Sequence, residues 1–201
     1  MMRDIHYLDK KSVAYLSEAL INHYFSKPEY TEIVIVCVGT NRYTWDALGP
    51  MVGSRLSERF EGNRNIQIYG TLENPVHALN LQKTIAHISK LHSKAYIIAV
   101  DACLGQFYKI GTLQLVEEPL YPGSSLDKQL PPIGHIHVKG IINNHSALNH
   151  KVMEHTSLTF VGEMSAVISR ILVKSSQKII SGLVPVPQLD NEASSHLSSA
   201  T

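Results

Sequence analysis

Residues 33–37, Ile-Val-Ile-Val-Cys, form an unbroken apolar run that leads straight into a glycine turn, Val38-Gly39-Thr40-Asn41. A run this short, with no polar alternation, reads as a strand buried on both faces inside a parallel sheet. Thr44 is placed to cap a helix whose first turn holds Asp46 and whose body runs towards Phe60. A strand, a glycine turn and a helix with a carboxylate in its first turn usually form a ligand or catalytic site. In open α/β sheets such sites gather at the carboxyl ends of the strands.

The flanking segments repeat the theme. Val13, Leu16, Leu20 and Tyr24 follow a helical period, which predicts an N-terminal helix over residues 9–25. Ile66 to Tyr69 reads as a second strand, and Pro75 as the first residue of a helix with Ala78, Leu81, Ile85 and Ile88 on its buried face. Ala95 to Val100 is another fully apolar strand, expected to deliver Asp101 at its carboxyl end. This β-α-β-α-β succession predicts a three-layer α/β/α domain around a mostly parallel, doubly wound sheet. Gly111 to Val116 and His135 to Ile142 alternate as later strands, and a last long helix starts near Ser157. A single domain over residues 1–184 is expected, with a Ser/Ala/Pro-rich tail over 185–201 expected to be disordered.

Charge narrows the partners. Lysine and arginine number 18 against 17 acidic residues, a formal net charge of +1, which argues against electrostatic binding to nucleic acid or an anionic membrane. No apolar run reaches membrane-spanning length and the N-terminus has no signal-peptide pattern. Two cysteines, Cys37 and Cys103, without a CxxC spacing make no disulfide framework, so a reducing cytosolic setting is expected.

The first and third strands of such a sheet are usually neighbours, so Asp46 and Asp101 should face one crevice. Two carboxylates there could share a proton, with Asp46 the favoured base because a helix N-terminus stabilises its charge. They could equally ligate a divalent metal. The plain alternative is that Asp46 caps a helix and Asp101 a loop. His77 is a candidate third ligand or proton carrier. The histidines at 135, 137, 145, 150 and 155 permit a metal site but lack an HxxxH or HExxH spacing. Neither a GxGxxG nor a P-loop motif accompanies Gly39, which is explained by its turn. Cys103 lies close enough to be suspected as a nucleophile, yet no base stands at a recognisable spacing.

Three motifs carry a family resemblance: Val38-Gly39-Thr40-Asn41 with Asp46-Ala47-Leu48-Gly49-Pro50, then Tyr69-Gly70-Thr71-Leu72-Glu73-Asn74-Pro75-Val76-His77-Ala78, then Asp101-Ala102-Cys103-Leu104-Gly105. Together they resemble the YyaC family of sporulation proteins, itself similar to the spore germination protease and, more distantly, to hydrogenase maturation endopeptidases. The resemblance implies a phosphorylase/hydrolase-like (HybD-like) peptidase fold and a sporulation-associated endopeptidase with Asp46 and Asp101 as its catalytic pair. It implies a protein or peptide substrate, small acid-soluble spore proteins among the candidates, and a cytoplasmic setting in the forespore or spore core. Gly39, Thr40, Asn41, Asn74 and His77 are the expected substrate contacts. A nickel or zinc ion held by Asp46, Asp101 and His77 or His155 is the metal alternative, a non-enzymatic sporulation protein on a peptidase fold is another, and a homo-oligomer is compatible with either.

Overall fold

The computed structural model describes residues 1–27, 30–122, 130–144 and 156–183. The apolar run forms strand β2 (Glu32–Cys37), and each residue from Ile33 to Cys37 is fully buried. Parallel partners flank it: β3 (Ile66–Tyr69) on one side and β4 (Ala95–Gly105) on the other. Beyond β4 lies β6 (Ile136–Asn144), also parallel, and then β5 (Thr112–Val116) and β1 (Met2–His6), both antiparallel. The strand order is β1-β5-β6-β4-β2-β3. The sheet is therefore mixed, with a parallel centre as the crossover spacing predicts.

Alternation along β2 splits the core in two. Ile33, Ile35 and Cys37 pack with helices α1 (Ser12–Phe25), α2 (Leu48–Arg59) and α4 (Leu158–Leu183). Val34, Val36 and Val38 face the other way and meet Leu81 and Ile88 of α3 (Leu81–Leu91). Helices on both faces make the three layers. Each fully buried Leu or Ile contributes roughly 1.5–3 kcal/mol relative to an exposed one, so the two-sided burial of β2 anchors both layers. The long α4 lies across α1 and α2, and the Ser17 hydroxyl donates to the Ile171 carbonyl at 3.2 Å where α1 and α4 cross.

The chain departs from the sequence expectations at several points. Residues 2–6 form a strand, and the N-terminal helix starts at Ser12. Met-Arg-Asp-Ile-His has too little apolar content to announce a strand; it is an edge whose backbone β5 recruits, with Arg3 ion-paired to Glu117. Helix α2 begins at Leu48, and Asp46 sits ahead of it in a 3-10 turn, Thr44–Asp46, with no side-chain cap from Thr44. Pro75 does not open a helix: Val76 is extended and bridges to Val38, and α3 starts only at Leu81. The Asn80 side chain explains the delay, accepting from the His77 N–H at 2.8 Å and donating to the Pro75 carbonyl at 2.9 Å. Asp101 is not at the tip of its strand, because β4 continues to Gly105 on pairing with β6. The expected tail and the histidines at 145, 150 and 155 lie outside the described residues. Among the described residues, no helix is long and apolar enough to cross a membrane.

Helix α2 approaches the sheet very closely at Gly49, where an added Cβ would lie 2.1 Å from the Val38 carbonyl oxygen. A Gly49→Ala variant must push the helix start off the end of β2. It is expected to lose about 2–3 kcal/mol of stability, as overpacked sites do, measured by urea unfolding.

Candidate active site

The site is built by the carboxyl ends of β2 and β4. The Val38 N–H donates to the Val100 carbonyl at 2.7 Å, extending the ladder one residue past β2. Gly39 then turns at φ +140°, and an added Cβ would lie 2.2 Å from the Asp46 carbonyl oxygen. Only glycine permits this folding back. The Thr40 N–H donates to the Asp46 backbone carbonyl at 3.0 Å, and the Gly39 N–H to that of Val76 at 2.8 Å. Gly39 and Thr40 thus hold the Asp46 loop through their backbones. Asn41 reaches across, its side-chain amide donating to the Leu72 carbonyl at 2.8 Å, and joins this loop to the one after β3.

Tyr96, Ile98 and Val100 of β4 face the core shared with α1, α2 and α4, so alternation places Asp101 and Cys103 on the α3 side. On β6, Ile136 and Val138 belong to that same first core, which puts His137 and Lys139 on the side of Asp101. Asp101 and Lys139 are direct cross-strand partners in the parallel register. Asp46, Asp101 and Lys139 are all half-buried. Among the described residues no carboxylate comes within ion-pair distance of Lys139, and its charge still acts on Asp101 and Cys103.

Burial pushes the Asp46 carboxyl up to about 6, against a smaller lowering by the Thr40 backbone N–H. Asp101 rises further, to about 8, through burial first and the Asp46 charge second, with Lys139 and the Ala102 backbone N–H pulling it down. The asymmetry has two origins: Asp101 is the more desolvated, and the Asp46 charge adds to the hold on its proton. Near neutral pH the pair is one carboxylate and one carboxylic acid. Cys103 is pushed up to about 11 by burial, so its thiol is protonated and no nucleophile. Burial raises the buried Cys37 thiol as well, and that residue is core.

The remaining candidates go elsewhere. Asn74 and His77 line a groove beside β3, and His77 Nδ1 accepts from the Leu79 N–H at 3.3 Å. His135 stacks on Tyr96, centroids 5.4 Å apart, and accepts from the Ile97 N–H at 2.9 Å. His137 Nδ1 bonds the Glu118 carbonyl at 2.7 Å. Burial lowers the proton affinity of both; His137 is buried in the core and His135 is half-buried. Among the described residues no three His, Cys, Asp or Glu side chains are grouped to hold a metal, so the set of Asp46, Asp101 and His77 is not assembled; His155 lies outside those residues. Trp45 stacks on Tyr43 at 5.2 Å and packs partly on the core beside Asp46. Lys139 is the site member that sequence reasoning missed. Its signal was a lysine in phase with His135 and His137 on an otherwise apolar strand, but only the register shows that Asp101 is its neighbour.

The family described as Protein of unknown function (DUF1256) matches residues 4–171. The chain belongs to this family. It is 42% identical over 137 residues to the Uncharacterized protein YyaC of Bacillus subtilis (strain 168), covering 68% of this chain. The match spans 66% of that relative, just under two thirds of its length. Asp46, Asp101 and Lys139 all lie within the residues that the family matches. Among solved structures, a [NiFe] hydrogenase maturation protease HycI from Thermococcus kodakarensis KOD1 is similar at 15% identity and a TM-score of 0.40, over 77% of this chain and 99% of that one. A likeness that low assigns neither a fold family nor an activity.

The two raised carboxyls set a pH dependence of stability. Both native values lie above those of an unfolded chain, about 3.9 for aspartate. The native state therefore binds more protons, and the stabilisation is fully present below about pH 4 and lost as pH rises through about 6 and about 8. Asp101→Asn is expected to flatten that decline and to raise the melting temperature at pH 9 while leaving it nearly unchanged at pH 4, read by thermal scans across pH.

Proposed function

We propose that this protein is a sporulation-associated endopeptidase that hydrolyses peptide bonds with Asp46 as general base and Asp101 as general acid. The observation that carries the reading is the pair itself: two half-buried carboxyls, electrostatically coupled, with Asp46 near 6 and Asp101 near 8. Such a split assigns base and acid roles at neutral pH.

In the reaction, a water lies between the Asp46 carboxylate and the scissile carbonyl carbon. Asp46 takes one proton as the water oxygen bonds to that carbon, while the Asp101 proton moves to the carbonyl oxygen. The tetrahedral intermediate then collapses, the C–N bond breaks, and the proton on Asp46 passes to the departing amine. Asp101 recovers its proton as the new carboxyl group forms. Lys139, across the strand from Asp101, favours the negative charge that develops there. Its ammonium also keeps Asp101 from rising so far that it becomes a poor acid. Spore proteins in the forespore are the substrates that the sequence resemblance implies.

Asp46→Asn and Asp101→Asn are each expected to lower kcat on small acid-soluble spore proteins by on the order of 10³-fold with the fold intact. The wild-type kcat/KM profile is expected to rise through about pH 6 and fall through about pH 8, since activity needs Asp46 ionised and Asp101 protonated. Lys139→Met should move the alkaline limb upward, because the charge that lowers Asp101 is gone. A folded Asp46→Asn protein with full proteolytic activity would sink the assignment.

A further inference from the structure

Strand β3 lies at the end of the sheet, and among the described residues it pairs with β2 alone. The Asn65 carbonyl accepts from the Ile33 N–H at 2.9 Å. Alternation along a parallel ladder then turns the backbone groups of odd-numbered residues towards β2 and leaves those of Ile66 and Ile68 facing outward. Exposed edges are usually blunted by proline, charge or a bulge. β3, Ile-Gln-Ile-Tyr, has no proline and no charged residue, and its register with β2 is unbroken.

The carboxyl end of this edge, from Ile68 on, lies in a groove. Ile68 to Thr71 run along its base; Ser57 and Glu58 of α2 form one wall, and Lys83 and His87 of α3 the other. Its volume is about 960 Å³. The two walls come from helices on opposite faces of the sheet, as a strand added at this edge would require. The walls carry both signs of charge and no continuous apolar stripe, so they suit neither an amphipathic helix nor a polyanion. The groove also extends to the backbone that holds the Gly39 turn. Its lining continues to Val76, which bridges to Val38 and accepts the Gly39 N–H at 2.8 Å.

We propose that this groove docks an extended polypeptide segment, which adds as a strand to the outer edge of β3 and passes its chain on to Asp46 and Asp101. The delivery step rests on the endopeptidase reading; the docking itself does not. Main-chain hydrogen bonds to Ile68 would supply affinity with little sequence demand, and the wall charges would select the side chains.

The test uses α-casein, an unfolded polypeptide, as the probe. With the full chain carrying Asp46→Asn, saturating casein is expected to slow amide hydrogen exchange at Ile68. A Ser57→Arg/His87→Arg variant, altered at two exposed wall positions, should abolish that protection. With Asp46 and Asp101 intact, the same double variant should raise KM for casein cleavage at least tenfold while kcat stays within twofold. Unchanged β3 exchange with casein, or an unchanged KM in the double variant, would overturn the proposal, as would a dimer in sedimentation that buries β3. If casein protects β3 and is never cleaved, the docking site stands and the peptidase reading fails. If it is cleaved normally by the blocked variant, the reverse holds.

Discussion

Everything in this structure depends on the pairing of β2 with β4. Their parallel ladder runs from Glu32–Ala95 to Cys37–Val100, and Val38 extends it by one more bond. The two strands are buried on both faces and separated by almost sixty residues of chain, so the crossover through β3 and α3 must close before they meet. Once they meet, the Asp46 loop and Asp101 are forced to the same end of the sheet. The carboxylates do not attract one another; packing holds them together against their repulsion. The cost appears in their raised proton affinities, through burial at Asp46 and through burial and then the Asp46 charge at Asp101.

The glycines at the head of α2 show how that arrangement is made. Gly39 lets the backbone fold onto the Asp46 carbonyl, and Gly49 lets the helix start touch the end of β2. Between them the segment is too tight for a regular helix, so Asp46 sits in a 3-10 turn. Its position is set by backbone hydrogen bonds from the Thr40 N–H and by the Gly39–Val76 contact, not by a helix cap. The expectation that a helix N-terminus would keep Asp46 ionised meets a different geometry, since Asp46 lies in the 3-10 turn ahead of α2. Asp46 is the stronger acid because it is less desolvated and because Asp101 bears the repulsion of an already charged neighbour.

Strongly patterned segments were legible: the runs at 33–37 and 95–100, the short strand at 66–69, and the long final helix after Ser157. Weakly patterned ones were not. Met2–His6 becomes a strand only because β5 presents an edge, and Pro75 opens no helix because Asn80 ties the backbone before the helix can start. Lys139 illustrates the limit for the site. Residue phase on β6 could be read from alternation, but its partner is set by register, and register is a property of two strands together. The groove beside β3 was hidden for the same reason, since its walls come from helices on opposite faces of the sheet.

By itself, the sequence determined the buried strands, the glycine turn after β2 and the two aspartates as the groups to watch, along with the motifs that mark the family. These are local matters: hydrophobic runs, backbone freedom at glycine, and residue types at fixed spacing. The tertiary structure alone decided that Asp101 lies inside β4 beside Lys139, that His77 belongs to the groove and not to the aspartate pair, and that the two carboxyls hold their protons unequally. Burial and charge–charge distance exist only once distant segments are packed, and they fix which carboxyl holds its proton.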